Sequence, residues 1–250
     1  MIAPEQTLVS VIIPTYNSAN YLGEALTSVL QQSYQPCEII VIDDGSTDAT
    51  PAVVAEFQQR LAQETADPEA VPLRYGHQAN AGPATARNHG VRLAQGNLFA
   101  FLDADDWWHP QKLAHQVARL AAEPALGYVF SHMVVHLETA SAWPVSLNQA
   151  HYQNEPPCIL PSALLVRRAV FLQVGYFDEH YRYSDDTDWF LRAKDAAVPY
   201  AIVPEPLVYK RIHEQNLSHQ PTMSHETMRA FHASVRRQRQ AQRSRKPNQP

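Results

Sequence analysis

The sequence predicts an α/β fold: a mostly parallel central sheet with helices on both faces and a less regular second half. Three observations predict it. Short, almost continuously apolar runs rich in Val and Ile alternate with amphipathic helical patterns through the first half of the chain, as in a doubly wound sheet buried on both sides. Two of these runs stop at clustered aspartates, which collects acids at one rim, where open α/β sheets bind ligands. The chain has 250 residues and 45% hydrophobic content, enough to bury one large core of this kind.

Taken in order, Leu8–Ile13 ("LVSVII") is predicted as the first strand. A helix with Leu22, Leu26, Val29 and Leu30 on one face follows. Glu38–Asp44 ("EIIVIDD") is the second strand, broken by Gly45. Ser46, Thr47 and Asp48 then stand where a helix cap is needed, ahead of a face of Val53, Val54, Phe57 and Leu61. "LRYGHQ" reads as the third strand, a helix runs from about Pro83 to Ala94, and "NLFAFL" is the fourth strand. Beyond it, "HPQKLAHQVARLAA" is a helix opening on Pro110, "GYVFSHMVV" a strand, and Leu137–Pro157 a long loop without periodicity. "CILPSALLV" and "YAIVPEPLVYKRI" read as strands on either side of a helical "DDTDWFLRAKDAA". The expected organisation is one domain over residues 1–228, with a regular half at about 8–106 and a less regular half at about 107–218. A basic, flexible, solvated and partly helical tail is expected over 229–250, since seven basic and no acidic side chains lie between Arg229 and Lys246.

Composition narrows the function. A net charge of −5 excludes a globally basic nucleic-acid binder. Two distant cysteines, Cys37 and Cys158, make neither a zinc motif nor a disulfide framework, and fit a reducing compartment. No secretory leader pattern and no apolar run of membrane-spanning length is read, so a cytoplasmic protein is expected. The basic tail adds a candidate contact with the inner face of a membrane.

Five features carry chemistry. Asp103, Asp105 and Asp106 follow the fourth strand, and oxygen-rich clusters suit Mg²⁺ or Mn²⁺. Asp106 also fits a helix-entry acid, because Pro110 opens a helix soon after. Asp43 and Asp44 end the second strand, where one of them can accept hydrogen bonds from a base or ribose. Arg87, in "NAGPATARNHG", suits either a phosphate, the aspartates or an exposed face. "SDDTDWFLR" sets Asp185 and Asp186 at a helix start, with Asp188 and Arg192 spaced to pair along the helix. His213 follows the last strand, in a position open to a structural or a metal-binding role.

Six segments in order, "VSVIIPTYN", "IIVIDDGSTD", "NAGPATARNHG", "FLDADD", "SDDTDWFLR" and "YKRIHEQNLSH", resemble the family 2 glycosyltransferases of the GT-A (Rossmann-like) fold, over about Leu8 to Ser218. The resemblance implies an inverting transferase that uses a nucleoside-diphosphate sugar, UDP-sugar favoured, and a saccharide or lipid-linked acceptor in polysaccharide, glycolipid or cell-envelope glycan synthesis. It implies that Asp44 holds the nucleobase, in a pocket framed by Pro14, Thr15 and Tyr16. Arg87 would lie near the nucleotide, and Asp103 and Ala104 near the ribose. Asp105 and His213 would serve Mn²⁺ or Mg²⁺. Asp186 would be the base that deprotonates the acceptor, with Asp185 beside it where many relatives carry Glu. The rival readings are a nucleotidyltransferase and a non-catalytic nucleotide-sugar-binding protein. Trp143, Tyr152 and Trp189 are candidates for stacking on an acceptor sugar or for core or loop packing, with packing the favoured reading for Trp189.

Overall fold

The structure, a computed structural model, describes residues 7–64, 71–138, 155–214, 216 and 223–245. Four parallel strands form its first part: β1 (Val9–Thr15), β2 (Cys37–Asp43), β3 (Leu73–His77) and β4 (Leu98–Phe101). β1 lies between β2 and β4, and β2 pairs with β3. Successive strand side chains point to opposite faces, yet Val9, Val11, Ile12 and Ile13 are all inaccessible. Both faces of β1 are therefore covered, and each such side chain contributes about 1.5–3 kcal/mol by burial. The covering comes in part from the intervening helices α1 (Ala19–Leu30), α2 (Thr50–Glu64) and α3 (Pro83–Leu93).

The second part extends the same sheet with a change of direction. β5 (Trp107–Trp108) and α4 (Lys112–Ala122) are followed by β6 (Tyr128–Leu137), β7 (Pro157–Cys158) and β8 (Leu165–Arg167). After α5 (Arg168–Val174) and α6 (Asp185–Asp195) comes β9 (Tyr200–Ile212). The strand order is β3-β2-β1-β4-β8-β6-β9-β5, with β7 beside β6. β8 runs antiparallel to β4 and β6, while β6 and β9 are parallel. The expected mixed, mostly parallel α/β architecture is the one found.

Two local expectations are corrected. "CILPSALLV" is not one strand, because Pro161 lacks an N–H and opens a 3₁₀ turn over Pro161–Ala163 between β7 and β8. Residues 229–245, expected as a solvated, partly helical tail, belong to a helix, α7 (Met223–Arg245). It is docked, not solvated all round: Ser234 Oγ donates to Asp195 Oδ1 at 2.8 Å and Arg237 Nε to Asp195 Oδ2 at 2.7 Å. Residues 246–250 of that expected tail, Trp143 and Tyr152 lie outside the described residues. Trp189 is buried in the core, stacked on Phe171 with ring centroids 5.3 Å apart.

Candidate functional site

A cavity of about 580 Å³ opens at the carboxyl ends of β1, β2 and β4. Every residue to which the family resemblance assigns a role lines it. Pro14, Thr15 and Tyr16 come from β1 and the turn after it, Asp44 from the end of β2, and Arg87 from α3. Asp103, Ala104 and Asp105 follow β4, Asp185 and Asp186 open α6, and His213 follows β9.

The rim beside β1 and β2 is a set of interlocked turns. Asp43 is fully buried and turned into the fold, accepting from Ser46 N–H (2.8 Å) and the Tyr75 hydroxyl (2.7 Å). Asp44 instead faces the cavity, where its carboxylate accepts from Gln78 Nε2, Ala81 N–H and Gly82 N–H at 2.8, 2.9 and 2.8 Å. It thus ties the turn after β2 to the loop ahead of α3. Gly45 lets these two loops touch: its φ is +80°, and a Cβ there would lie 2.9 Å from Asn80 N. The buried Thr15 hydroxyl has no protein partner, which leaves a polar atom for a ligand or water to satisfy.

Arg87 decides the character of the opposite rim. It is buried, with Nη1 2.7 Å from Asp185 Oδ2 and Nη2 2.8 Å from Asp103 Oδ1. Its guanidinium thus bridges the two acidic clusters, while its Nε has no protein partner among the described residues. Both ion pairs bypass Asp186. Among the described residues that carboxylate accepts only short-range hydrogen bonds, from Thr187 N–H (2.6 Å) and Thr187 Oγ1 (3.3 Å). Burial first, and then the neighbouring Asp185, push Asp186 up to about 7. Asp185 is also raised by burial, with Arg87 pulling against it. Asp188 and Arg192 pair along α6 as their spacing predicts, at 2.7 Å.

The aspartates after β4 surround a cation. One carboxylate oxygen from each of Asp103, Asp105 and Asp106 lies within 4.8 Å of the others. Lys210 Nζ stands 3.9 Å from Asp103 Oδ2, 3.9 Å from Asp105 Oδ1 and 3.3 Å from Asp106 Oδ1. Against the cost of burial, Asp106, Asp105 and Asp103 keep Lys210 firmly protonated. Burial would raise Asp105, but Lys210 and then His213 outweigh it and hold the carboxyl at about 2. His213 Nε2 lies 3.1 Å from Asp105 Oδ2, and its ring stacks on Tyr21 at 4.6 Å. Hard carboxylate oxygens so closely spaced, with an imidazole beside them, fit a divalent ion such as Mn²⁺ or Mg²⁺.

Asp106 is not a helix-entry acid. Gln111 occupies the cap of α4, and Asp106 points inward. It accepts from Ser162 Oγ at 2.7 Å and Arg211 N–H at 3.1 Å. Of the three aspartates after β4, the two open to the cavity are therefore Asp103 and Asp105. The following tryptophans pack behind the site. Trp108 Nε1 donates to Ser162 O at 2.7 Å, and Trp107 stacks on Tyr209 at 5.2 Å.

Sequence reasoning missed Lys210, Arg211, Asn216 and Ser162. Asn216 Nδ2 donates to Asp105 Oδ2 at 2.9 Å, while its Oδ1 accepts from His213 N–H at 2.6 Å. Arg211 Nε donates to Asp105 O at 3.1 Å, and the same guanidinium pairs with Glu24. Ser162 Oγ accepts from Asp103 N–H at 3.1 Å. Lys210, Arg211 and Asn216 sit within three residues of His213 in "YKRIHEQN", so the segment was in view. The available signal was its charge, two adjacent cations on a strand that ends at an acidic rim.

The sequence profile of the family described as "Glycosyl transferase family 2" matches residues 10–238. An uncharacterized glycosyltransferase of Rickettsia typhi is 29% identical over 220 residues, covering 83% of this chain and 64% of that protein. One of Rickettsia conorii is 34% identical over 196 residues, covering 74% of this chain and 31% of its own length. The chain thus spans less than two thirds of the length of these relatives. Among solved structures, a Pyrobaculum calidifontis mannosyltransferase in complex with GDP-Man and Mn²⁺ superposes with a TM-score of 0.71 at 21% identity, over 93% of this chain and 65% of that one. S. aureus TarS 1–349 in complex with UDP-GlcNAc gives 0.71 at 21% identity, over 92% and 66%. With a profile match across nearly the whole chain and an acid-lined cavity at the strand ends, this chain belongs to glycosyl transferase family 2.

Proposed function

We propose that this chain is an inverting, metal-dependent glycosyltransferase that moves a sugar from a nucleoside-diphosphate sugar to a hydroxyl of a saccharide or lipid-linked acceptor, in polysaccharide, glycolipid or cell-envelope glycan synthesis. The observation that carries the reading is the pairing of Arg87. By taking Asp103 and Asp185, it leaves Asp186 without an ion pair among the described residues; Asp44, the other cavity carboxylate without one, is instead occupied by three protein donors. Asp186, raised to about 7, is suited to accept a proton from an acceptor hydroxyl near neutral pH. That proton transfer makes the oxygen a nucleophile toward the anomeric carbon. Attack from the side opposite the leaving diphosphate inverts the configuration.

The rest of the cavity binds and orients. Asp44 contacts the base with the lone pairs left after its three protein donors, in the pocket framed by Pro14, Thr15 and Tyr16. Asp103 and Ala104 lie toward the ribose, with Arg87 between base-side and acid-side rims. Asp105 and His213 hold a divalent ion, which when bound supplies Lewis-acid stabilisation of charge on the departing diphosphate. Asp185, locked to Arg87, positions the start of α6 so that Asp186 keeps its place. The bound UDP-GlcNAc and GDP-Man of the structural neighbours support a nucleoside-diphosphate sugar as donor. The outward face of α7, with Met228, Phe231 and Val235 exposed beside Arg236 and Arg239, supports a peripheral contact with an anionic membrane.

The test is a product assay with UDP- and GDP-sugars, Mn²⁺ and a panel of acceptors. Nucleoside diphosphate is the expected product, and pyrophosphate would mean nucleotidyl transfer instead. Asp186→Asn is expected to lower transfer about 100-fold or more while donor affinity is kept. Full activity in that variant would sink the base assignment, and donor binding without transfer to any acceptor would favour a purely binding protein.

A further inference from the structure

A divalent ion at Asp105 and His213 does not by itself call for Lys210. Yet its side chain, 15% exposed, lines the cavity with its ammonium 3.9 Å from Asp105 and 3.9 Å from the neighbouring Asp103. Among the described residues it is the cation paired with all three aspartates after β4; Arg87 pairs only with Asp103, and His213 only with Asp105. Its place is fixed on both sides. Arg211 N–H bonds Asp106, Arg211 Nε bonds the Asp105 carbonyl and Asn216 bonds the Asp105 carboxylate, so β9 cannot slide past the aspartate loop without breaking them. A cation held there repels a second cation seeking the same oxygens, and it attracts a polyanion entering the cavity.

We propose that Lys210 is a built-in cation of the donor site. It weakens the binding of a divalent ion to the free protein, and it supplies positive charge that lets a nucleoside diphosphate bind before any metal does. The metal then binds well only with the diphosphate, whose negative charge offsets the ammonium. The inference rests on the reading that Asp105 faces the donor diphosphate.

The experiment measures binding, not turnover. Titration of Mn²⁺ alone into the nucleotide-free protein is expected to show at least about tenfold tighter binding in Lys210→Met than in the wild type, because a repelling charge has gone. In EDTA, UDP and GDP are expected to bind the wild type measurably and Lys210→Met at least about tenfold more weakly. Lys210→Arg, which keeps the charge, should restore both values. An unchanged Mn²⁺ affinity overturns the proposal. Tightened Mn²⁺ binding with unchanged nucleotide affinity in EDTA overturns its second half. A buried acid cluster stripped of its cation can unfold the protein, so the same comparison is made between Asp106→Asn and Asp106→Asn/Lys210→Met, where one charge of each sign is removed. A wild type that binds neither UDP nor GDP, with or without Mn²⁺, refutes the proposed function instead; the Mn²⁺ titrations of the free protein still decide the role of Lys210.

Discussion

Asp185 and Asp186 are the same side chain one position apart, and Arg87 separates their chemistry. Its guanidinium fixes Asp185 at 2.7 Å, whereas burial and the charge of Asp185 raise Asp186 to about 7. A carboxyl raised above its unfolded value near 3.8 holds a proton in the folded state that it has lost in the unfolded one. Stability therefore falls as pH rises from about 4 to about 7, and stays lower above that. Asp186→Asn removes this term. It is expected to melt a few degrees above the wild type at pH 8, for a gain of about 1–2 kcal/mol after solvent screening, with the gap closing toward pH 4. In the wild type, kcat/KM should fall below about pH 7 as Asp186 takes up its proton. Melting scans and a pH–rate profile on the same two proteins check both; equal melting curves at pH 8 would refute the raised carboxyl. Acids gathered at several strand ends made the rim legible, although a single acid at a helix start can equally be a cap. Lys210, Asn216 and Ser162 were not legible, because each matters through what it faces across the fold. Asp106 was misread for the same reason: its neighbour in sequence is a helix, but its neighbour in space is Lys210.

The strands of the first half were legible at the scale of elements, since an apolar run covered on both faces leaves few alternatives to a central strand. The sequence could not show how closely elements approach. On α3, a Cβ at Gly90 would lie 2.4 Å from Ile12 Cγ2 of β1, and Ile12 is inaccessible. Glycine there lets the helix backbone rest on the strand, one turn beyond Arg87. Gly90→Ala should force the two apart and cost about 1–3 kcal/mol. Because α3 carries Arg87, donor affinity should drop together with the melting temperature, and a variant stable but weak in nucleotide binding is equally consistent with the helix moving. An unshifted melting curve with unchanged nucleotide affinity would contradict the close packing. The 3₁₀ turn at Pro161–Ala163 shows the opposite failure: an apolar run read as one strand hides a break whose purpose, presenting Ser162 to Asp103 and Asp106, depends on a distant loop.

Over the whole molecule, α7 connects the surface to the site through α6. At one end Glu226 Oε2 accepts from Tyr183 N–H at 2.7 Å and Thr227 Oγ1 meets Ser184 Oγ at 2.8 Å. At the other, Arg237 and Ser234 hold Asp195. The segment just before the proposed base is thus held by the same helix whose outward face is apolar and basic. A run of arginines without acids reads as solvated tail from sequence, and only the aspartates of α6 reveal that part of it is docked. The chain carries a net charge of −5, so attraction to an anionic bilayer has to come from one face. Met228, Phe231 and Val235 are 55%, 47% and 43% exposed, and Arg236 and Arg239 adjoin them, an arrangement suited to the lipid interface. Removing the whole helix would strip α6 of its partners, so point substitutions are the sounder probe. The protein is expected to co-sediment with vesicles containing phosphatidylglycerol but not with pure phosphatidylcholine, and to release as salt rises. Arg236→Gln/Arg239→Gln should weaken that binding by about fivefold per arginine. Phe231→Ser should weaken it without altering the salt dependence. Equal binding to neutral and anionic vesicles, or none to either, would refute the membrane contact and leave the face to a protein partner.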